Sequence, residues 1–241
     1  MRLHRVLRAV LPLLLAGCAT AAGASMSAPG AGTEPAPAQL ALVHGVPGET
    51  IEYEFTLRGL PVGRAVVAVG DIGWIDGRRA LIVRGRGQSA GLAALLAEMV
   101  WEMTSTIDMD RGYVIRSHEE TTMTFAGETN RETQDIGDES THDVMSAVGA
   151  VRAWRSSPAQ RATISIRFGN SSIDGTLVDA SHEYLASAQR PAVKYTGTFA
   201  EEFPFTGWIS DDDARVPLKF ECETPLGTIT AELVDYSAPR G

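Results

Sequence analysis

Val216-Pro217-Leu218-Lys219-Phe220-Glu221-Cys222-Glu223 alternates apolar and charged residues from Leu218 to its end without a slip. Leu218, Phe220 and Cys222 fall on one face and Lys219, Glu221 and Glu223 on the other. That period of two belongs to a strand with one face on a core. Thr224-Pro225-Leu226-Gly227 then supplies a turn, and Thr228 to Leu233 resumes as a second strand, so the whole reads as a hairpin. The same signature recurs outward from it. Tyr53, Phe55 and Leu57 alternate with Glu52, Glu54 and Thr56, and a turn at Arg58-Gly59 leads to Val62–Val69. Leu81-Ile82-Val83 follows Asp76-Gly77. Ile107 and Met109 precede Asp110-Arg111-Gly112, with Tyr113 to Ile115 after it. Thr121 to Phe125 meets Ala126-Gly127, and Ile164 to Phe168, Val193 to Phe199 and Thr206 to Ile209 complete the set. Short strands at this spacing predict a mainly-β domain, a single antiparallel, strongly curved sheet closing toward a barrel or sandwich.

Two stretches depart from the strand period. Gly91 to Met103 places Leu92, Leu95, Leu96, Met99 and Val100 at helical spacing. Asp143 to Trp154 does so with Val144, Val148, Val151 and Trp154, behind a cap at Asp143. They predict one or two short helices covering an opening in the sheet.

The N-terminus speaks of location. Arg2, Arg5 and Arg8 accompany a short apolar run from Val6 to Leu15, which ends in Leu15-Ala16-Gly17-Cys18. A charged start, about ten apolar residues and a small-residue cleavage site make a secretory signal, too short for a membrane-spanning helix of about 20 residues. A cysteine directly after Leu-Ala-Gly is the bacterial lipobox, which makes Cys18 the lipidated N-terminus of the mature chain. Residues 1–17 are thus expected to be a lipoprotein signal peptide and residues 18–46 a lipidated cysteine with a flexible Ala/Gly/Pro tether. Residues 47–241 form one mainly-β domain. The tether has too little apolar surface to fold, and at about 3.3 Å per residue it reaches some 70 Å. The expected place is the cell envelope, held by acyl chains on Cys18. Ala19, where an aspartate would retain a Gram-negative lipoprotein in the inner membrane, points to the outer membrane facing the periplasm.

Loss of residues 1–17 removes three arginines and leaves 18 basic against 30 acidic residues, a net charge of −12. Phosphate backbones and anionic headgroups repel such a surface, so no nucleic-acid partner is expected. With Cys18 committed to lipid, Cys222 is expected to be a buried core thiol rather than a disulfide partner.

Three ordered segments carry a family resemblance. The first is Gly48-Glu49-Thr50-Ile51-Glu52-Tyr53-Glu54-Phe55, followed by Gly59-Leu60-Pro61-Val62-Gly63-Arg64-Ala65. The second is His142-Asp143-Val144-Met145-Ser146-Ala147, leading to Arg152. The third is Trp208-Ile209-Ser210-Asp211-Asp212, then Arg215-Val216-Pro217-Leu218-Lys219 and Leu226-Gly227. Together they resemble the bacterial domain of unknown function 3108 family over about residues 47–236. The resemblance implies a mainly-β, curved antiparallel domain of a secreted or envelope protein. It implies no activity and no catalytic residues.

Several patterns bear on chemistry. Gly87-Gln88-Ser89-Ala90-Gly91 satisfies G-x-S-x-G, the nucleophile elbow, between a strand and a helical pattern. His142 or His182 would then be the base and Asp143 or Asp179 its orienting acid. Against a serine esterase stand the dominance of hairpins over βαβ units and the lack of a His-Gly-Gly-Gly stretch. His118-Glu119-Glu120 lacks the second histidine of a zinc motif, and His44, His118, His142 and His182 lie far apart in the chain. Asp211-Asp212-Asp213 reads as a hairpin turn, since a cation there needs oxygen ligands from elsewhere. No metal or cofactor is expected. The preferred reading is a non-enzymatic protein that binds an apolar ligand or an envelope partner, the ligand lying between the concave sheet and its covering helices. The side chains of residues 92–103, with Trp101, either fill the core or form a flexible lid over such a ligand. The alternatives are a scaffold or assembly factor without ligand and a serine esterase using Ser89.

Overall fold

The structure is a computed structural model that describes residues 38–40, 42–137, 141–154, 160–168 and 171–239. Cys18, the expected signal peptide and the expected tether up to position 37 lie outside the described residues. The first strand, β1 (Ala38–Gln39), is followed by a meander of six: β2 (Thr50–Leu57), β3 (Leu60–Ile75), β4 (Arg78–Ser89), β5 (Glu98–Asp108), β6 (Val114–Phe125) and β7 (Glu128–Ile136). A second meander of six runs through β8 (Arg161–Phe168), β9 (Ser171–Leu185), β10 (Arg190–Phe199), β11 (Phe203–Ser210), β12 (Pro217–Thr224) and β13 (Gly227–Ser237). Helix α1 (Gly91–Leu96) interrupts the first meander, and α2 (Val144–Ala153) joins the two.

All thirteen strands form one sheet in the order β1-β8-β9-β10-β11-β12-β13-β2-β3-β4-β5-β6-β7. The C-terminal strand welds the halves together, with Ile229 opposite Leu57 and Ser237 opposite Thr50. Among the described residues every pairing of strands is antiparallel except that of β1 with β8, beside which His142 makes an isolated parallel bridge to Ile166. The two outer strands, β1 and β7, do not meet, so the sheet curls toward a barrel without closing. At Arg58-Gly59 and Asp76-Gly77 both central residues have positive φ, between 50° and 76°. That geometry matches the right-handed twist of the flanking strands and keeps those hairpins tight.

The hairpin of Pro217–Glu223 with Thr228–Leu233 forms as its alternation predicts, Glu221 opposite Thr230, and Cys222 is buried at 1% exposure. The second helical stretch also forms, behind the expected Asp143 cap. The first is shorter than its spacing suggests. Alpha-helical structure ends at Leu96, and Met99, Trp101 and Met103 alternate inward along β5, all buried. The helical spacing that begins at Leu92 runs into a period of two at Met99, and pairing with β4 and β6 on both sides decided in favour of the strand. Trp101 is therefore part of the sheet wall and no lid. Leu40 and Val43, in the stretch that composition assigns to the tether, are buried, and His44 donates its amide to the Gly149 carbonyl at 2.9 Å. Apolar side chains at those two positions give this stretch something to pack.

The main core lies on the concave face, from Val69, Leu81 and Ile107 in the first meander to Ile164, Leu177 and Tyr195 in the second, with Met145 and Ala150 of α2 laid across it.

Candidate functional site

Between the concave face and α2 lies a cavity of about 270 Å³. Phe199, Phe205 and Phe220 form one wall. The rings of Phe199 and Phe205 stack at 4.4 Å between centroids, and Phe205 and Phe220 at 5.6 Å. Val67 and Trp101 face them from the first meander, and Met145 and Val148 come from α2. Val148 lines the cavity and is still 41% exposed, so the helix side of the wall reaches solvent. Trp101 keeps its ring in the lining by donating its indole N–H to Glu119 at 2.8 Å, and burial raises the Glu119 carboxyl above its usual range. An apolar cavity of about 150 Å³ stays dry and takes up benzene. This one has room for a larger apolar group or part of an acyl chain.

Polar contacts at both ends seat α2 over the cavity. At its start Asp143 and Ser146 form a reciprocal capping box: Asp143 accepts from the Ser146 amide at 2.8 Å, and Ser146 Oγ accepts from the Asp143 amide at 3.0 Å. Ser105 of β5 donates its hydroxyl to Asp143, tying the cap to the sheet. His142 donates from Nε2 to the Leu40 carbonyl at 2.9 Å and holds Nδ1 3.3 Å from Ser146 Oγ. Burial pushes the His142 imidazole below its ordinary value, which favours the neutral ring.

At its other end α2 is clasped by two arginines. Arg152 makes a two-pronged pair with Glu49, at 2.5 and 3.0 Å, and the carboxylate is fully buried. Its remaining donors reach the Arg215 and Ala214 carbonyls at 3.0 and 2.8 Å. Arg215, from the turn between β11 and β12, returns the contact by donating to the Arg152 and Trp154 carbonyls and to the Tyr195 hydroxyl. A cation at the carbonyls of a helix's last turn satisfies orphan acceptors and complements the dipole. Burial also holds the nearby Tyr53 phenol well above its ordinary range while its hydroxyl donates to the Pro217 carbonyl at 3.1 Å. The three segments of the family resemblance meet at this clasp: Glu49 from the first, Arg152 from the second, Arg215 from the third, with His142 and Asp143 of the second at the other end of the helix. A spacing of 103 residues hides the Glu49–Arg152 pair from any reading of local pattern.

Ser89 ends β4, where its hydroxyl donates to the Ala97 carbonyl at 3.1 Å and accepts from the Met99 amide at 3.0 Å, bridging the ends of α1. The histidines considered as its base bond elsewhere, His142 as above and His182 to Asp211 at 3.1 Å. Asp143 caps α2, and Asp179, opposite Tyr195 on β9, has its side chain outside the described residues. His118 meets Asp135 at 2.8 Å on the exposed face of β6 and β7, and His44 contacts the Ala214 carbonyl at 3.2 Å. Within the aspartate triplet, Asp212 accepts from Ser210 Oγ at 2.7 Å and from the Arg215 amide at 3.0 Å, as a turn residue does. Among the described residues no cluster of three or more histidines, cysteines or carboxylates is placed to hold a metal, and no helix is long and apolar enough to cross a membrane.

The solved structures to which this chain is similar share little of its sequence. A β-barrel-like protein of domain of unknown function DUF1849 from Brucella abortus matches 82% of this chain and 100% of its own, at 11% identity and a TM-score of 0.52. An exported protein with a YmcC-like fold from Bacteroides fragilis matches 82% of this chain and 99% of its own, at 10% identity and a TM-score of 0.35. The Mycobacterium tuberculosis lipoprotein LppX matches 76% and 90%, at 11% identity and a TM-score of 0.27. No curated protein matches the chain. The family model for the protein of unknown function DUF3108 matches residues 52–234, from the second strand to the last, and the chain belongs to that family.

Proposed function

We propose that this is a lipid-anchored envelope protein that binds an apolar ligand without transforming it. The observation that carries the reading is the cavity of about 270 Å³ between the sheet and α2, walled by three phenylalanines, Trp101 and aliphatic side chains. Pockets for small ligands run to about 300–1,000 Å³ with mainly apolar linings. The size here suits a slender group such as an acyl chain, held by burial and shape. The lipobox at Cys18 supports the anchor and the envelope setting, and Ala19 an outer-membrane location facing the periplasm. The engagement of Ser89 with backbone at both its donor and acceptor sites supports a structural role for that serine.

The test is native mass spectrometry with lipid extraction on Ala19–Gly241 recovered from the periplasm without detergent. A stoichiometric apolar ligand is expected in the native sequence, and Val67→Phe, which fills the cavity, is expected to lose it. An empty native protein would overturn the ligand reading in favour of a scaffold without ligand.

A further inference from the structure

The end of the sheet that carries the β2–β3 and β12–β13 turns groups several exposed aliphatic side chains. Leu92, Leu95 and Leu96 of α1 are 61%, 82% and 70% exposed, with Leu60 and Leu226 exposed beside them. The turns adjoin because the Arg58 amide donates to the Thr228 carbonyl at 2.9 Å, and α1 is held next to them by the Ala90 amide on the Val62 carbonyl at 2.9 Å. The helix contains no charged residue and buries none of its own. Six residues are too few to hold a helix by hydrogen bonds alone. Beneath it, Ala93 packs on Phe55, Val62, Ala65, Ile229 and Ala231, and all of these but Val62 line the cavity. The leucines therefore stand outside the same wall that encloses the apolar space.

We propose that this leucine-bearing end inserts into the surface of a lipid bilayer, an inference that rests on the lipid anchor of the proposed function. A protein interface is enriched in aromatic and arginine side chains and carries about one hydrogen bond per 100–200 Å². Helix α1 offers only aliphatic side chains and no side-chain hydrogen-bonding group, which suits an acyl-chain boundary that needs none. The length of chain ahead of the described residues favours the same occupant. Residues 19–37 separate Cys18 from β1, and at about 3.3 Å per residue that number sets a longest reach of some 60 Å, enough to turn any face of the domain to the membrane. Tethering keeps the bilayer at high effective concentration, so a weak insertion by a few leucines suffices. The acidic balance of the chain makes a zwitterionic surface the preferred one.

The experiment uses the full lipidated chain in phosphatidylcholine vesicles, with an environment-sensitive fluorophore on Leu95→Cys and, as control, on Glu132→Cys of the exposed β7. Cys222 is buried, and Leu95 is exposed enough for the substitution to leave the fold intact. The Leu95 label is expected to shift to the blue and to be quenched several-fold more than the control by lipids brominated on their acyl chains. Leu92→Ser with Leu96→Ser in the same chain should remove the difference. Equal quenching at the two positions would overturn the inference. Shielding of the Leu95 label that depends on protein density and not on brominated lipid would also overturn it, in favour of a second copy. Acylation of Cys18 is read separately from the mass of the N-terminal peptide, so failure of the anchor and failure of the insertion are told apart.

Discussion

The two helices among the described residues are held in opposite ways. Helix α2 has a capping box at its start, arginine contacts at its end and six buried residues, Arg152 among them. Helix α1 has no side-chain cap, no charged residue in its terminal turns and no buried residue at all. Both interrupt the same sheet and both adjoin the wall of the same cavity. The contrast teaches which part of the molecule is fixed and which part is offered outward. A helix that closes a core must satisfy its own ends in a dry environment, whereas a helix that faces outward is stabilised by what it meets.

The largest effect is expected where the difference is greatest, at the Glu49–Arg152 clasp. Arg152→Met leaves a fully buried carboxylate without its cation, and breaking such a pair costs about 3–5 kcal/mol. Denaturant unfolding should show that loss, and Glu49→Gln with Arg152→Met should recover part of it because no buried charge is then left alone. If the single variant unfolds within 1 kcal/mol of the native protein, on the scale of an exposed ion pair, α2 is not held by its clasp. At the other end, Asp143→Ala removes the cap and strands the Ser105 hydroxyl, for an expected loss of about 2 kcal/mol. Ser89→Ala breaks only the bridge to α1. It should cost about 1 kcal/mol and leave the ligand content seen by native mass spectrometry unchanged.

Acidity acts on the same asymmetry. His142 is held below its ordinary value by burial, so the unfolded chain takes up its proton first as pH falls. The stability contributed by the neutral ring is present above about pH 6.5 and is lost as pH falls from there toward the folded-state value. The urea midpoint should therefore drop between pH 7 and pH 5.5, and His142→Gln should flatten that part of the profile. A profile identical in the two proteins would place the acid sensitivity elsewhere.

How far the sequence predicts this depends on burial. Helix α2 was legible because Asp143 stands one residue ahead of an apolar stripe that faces a core. The hairpin of β12 and β13 was legible because one face is wet. Strand β7 was not: Glu128 to Asp135 are polar and almost wholly exposed, an outer strand that charge protects from pairing with another chain. The extent of β9 escaped for a related reason, since Asp174, Ser181, His182 and Glu183 break its apolar alternation. At β5 two periods fitted the same letters, and only the neighbouring strands chose between them. The cavity and the clasp lie beyond local pattern altogether, because their residues come from strands and a helix that meet only once the sheet has curled. The family segments marked the right residues without saying that they touch.

The smallest stability effect should fall on α1. Leu92→Ser, Leu95→Ser and Leu96→Ser together remove three exposed side chains that the folded chain does not bury, so unfolding in the absence of lipid should change by no more than about 0.5 kcal/mol per site. Replacing exposed leucine by serine lowers helix propensity by only tenths of a kcal/mol per residue, and the six-residue helix is already set by its strand neighbours. A loss of several kcal/mol would mean that the leucines pack on the domain in solution, and the contrast with α2 would collapse. A near-neutral result together with loss of bilayer contact would sharpen it. One helix then exists for the fold, and the other for what lies outside it.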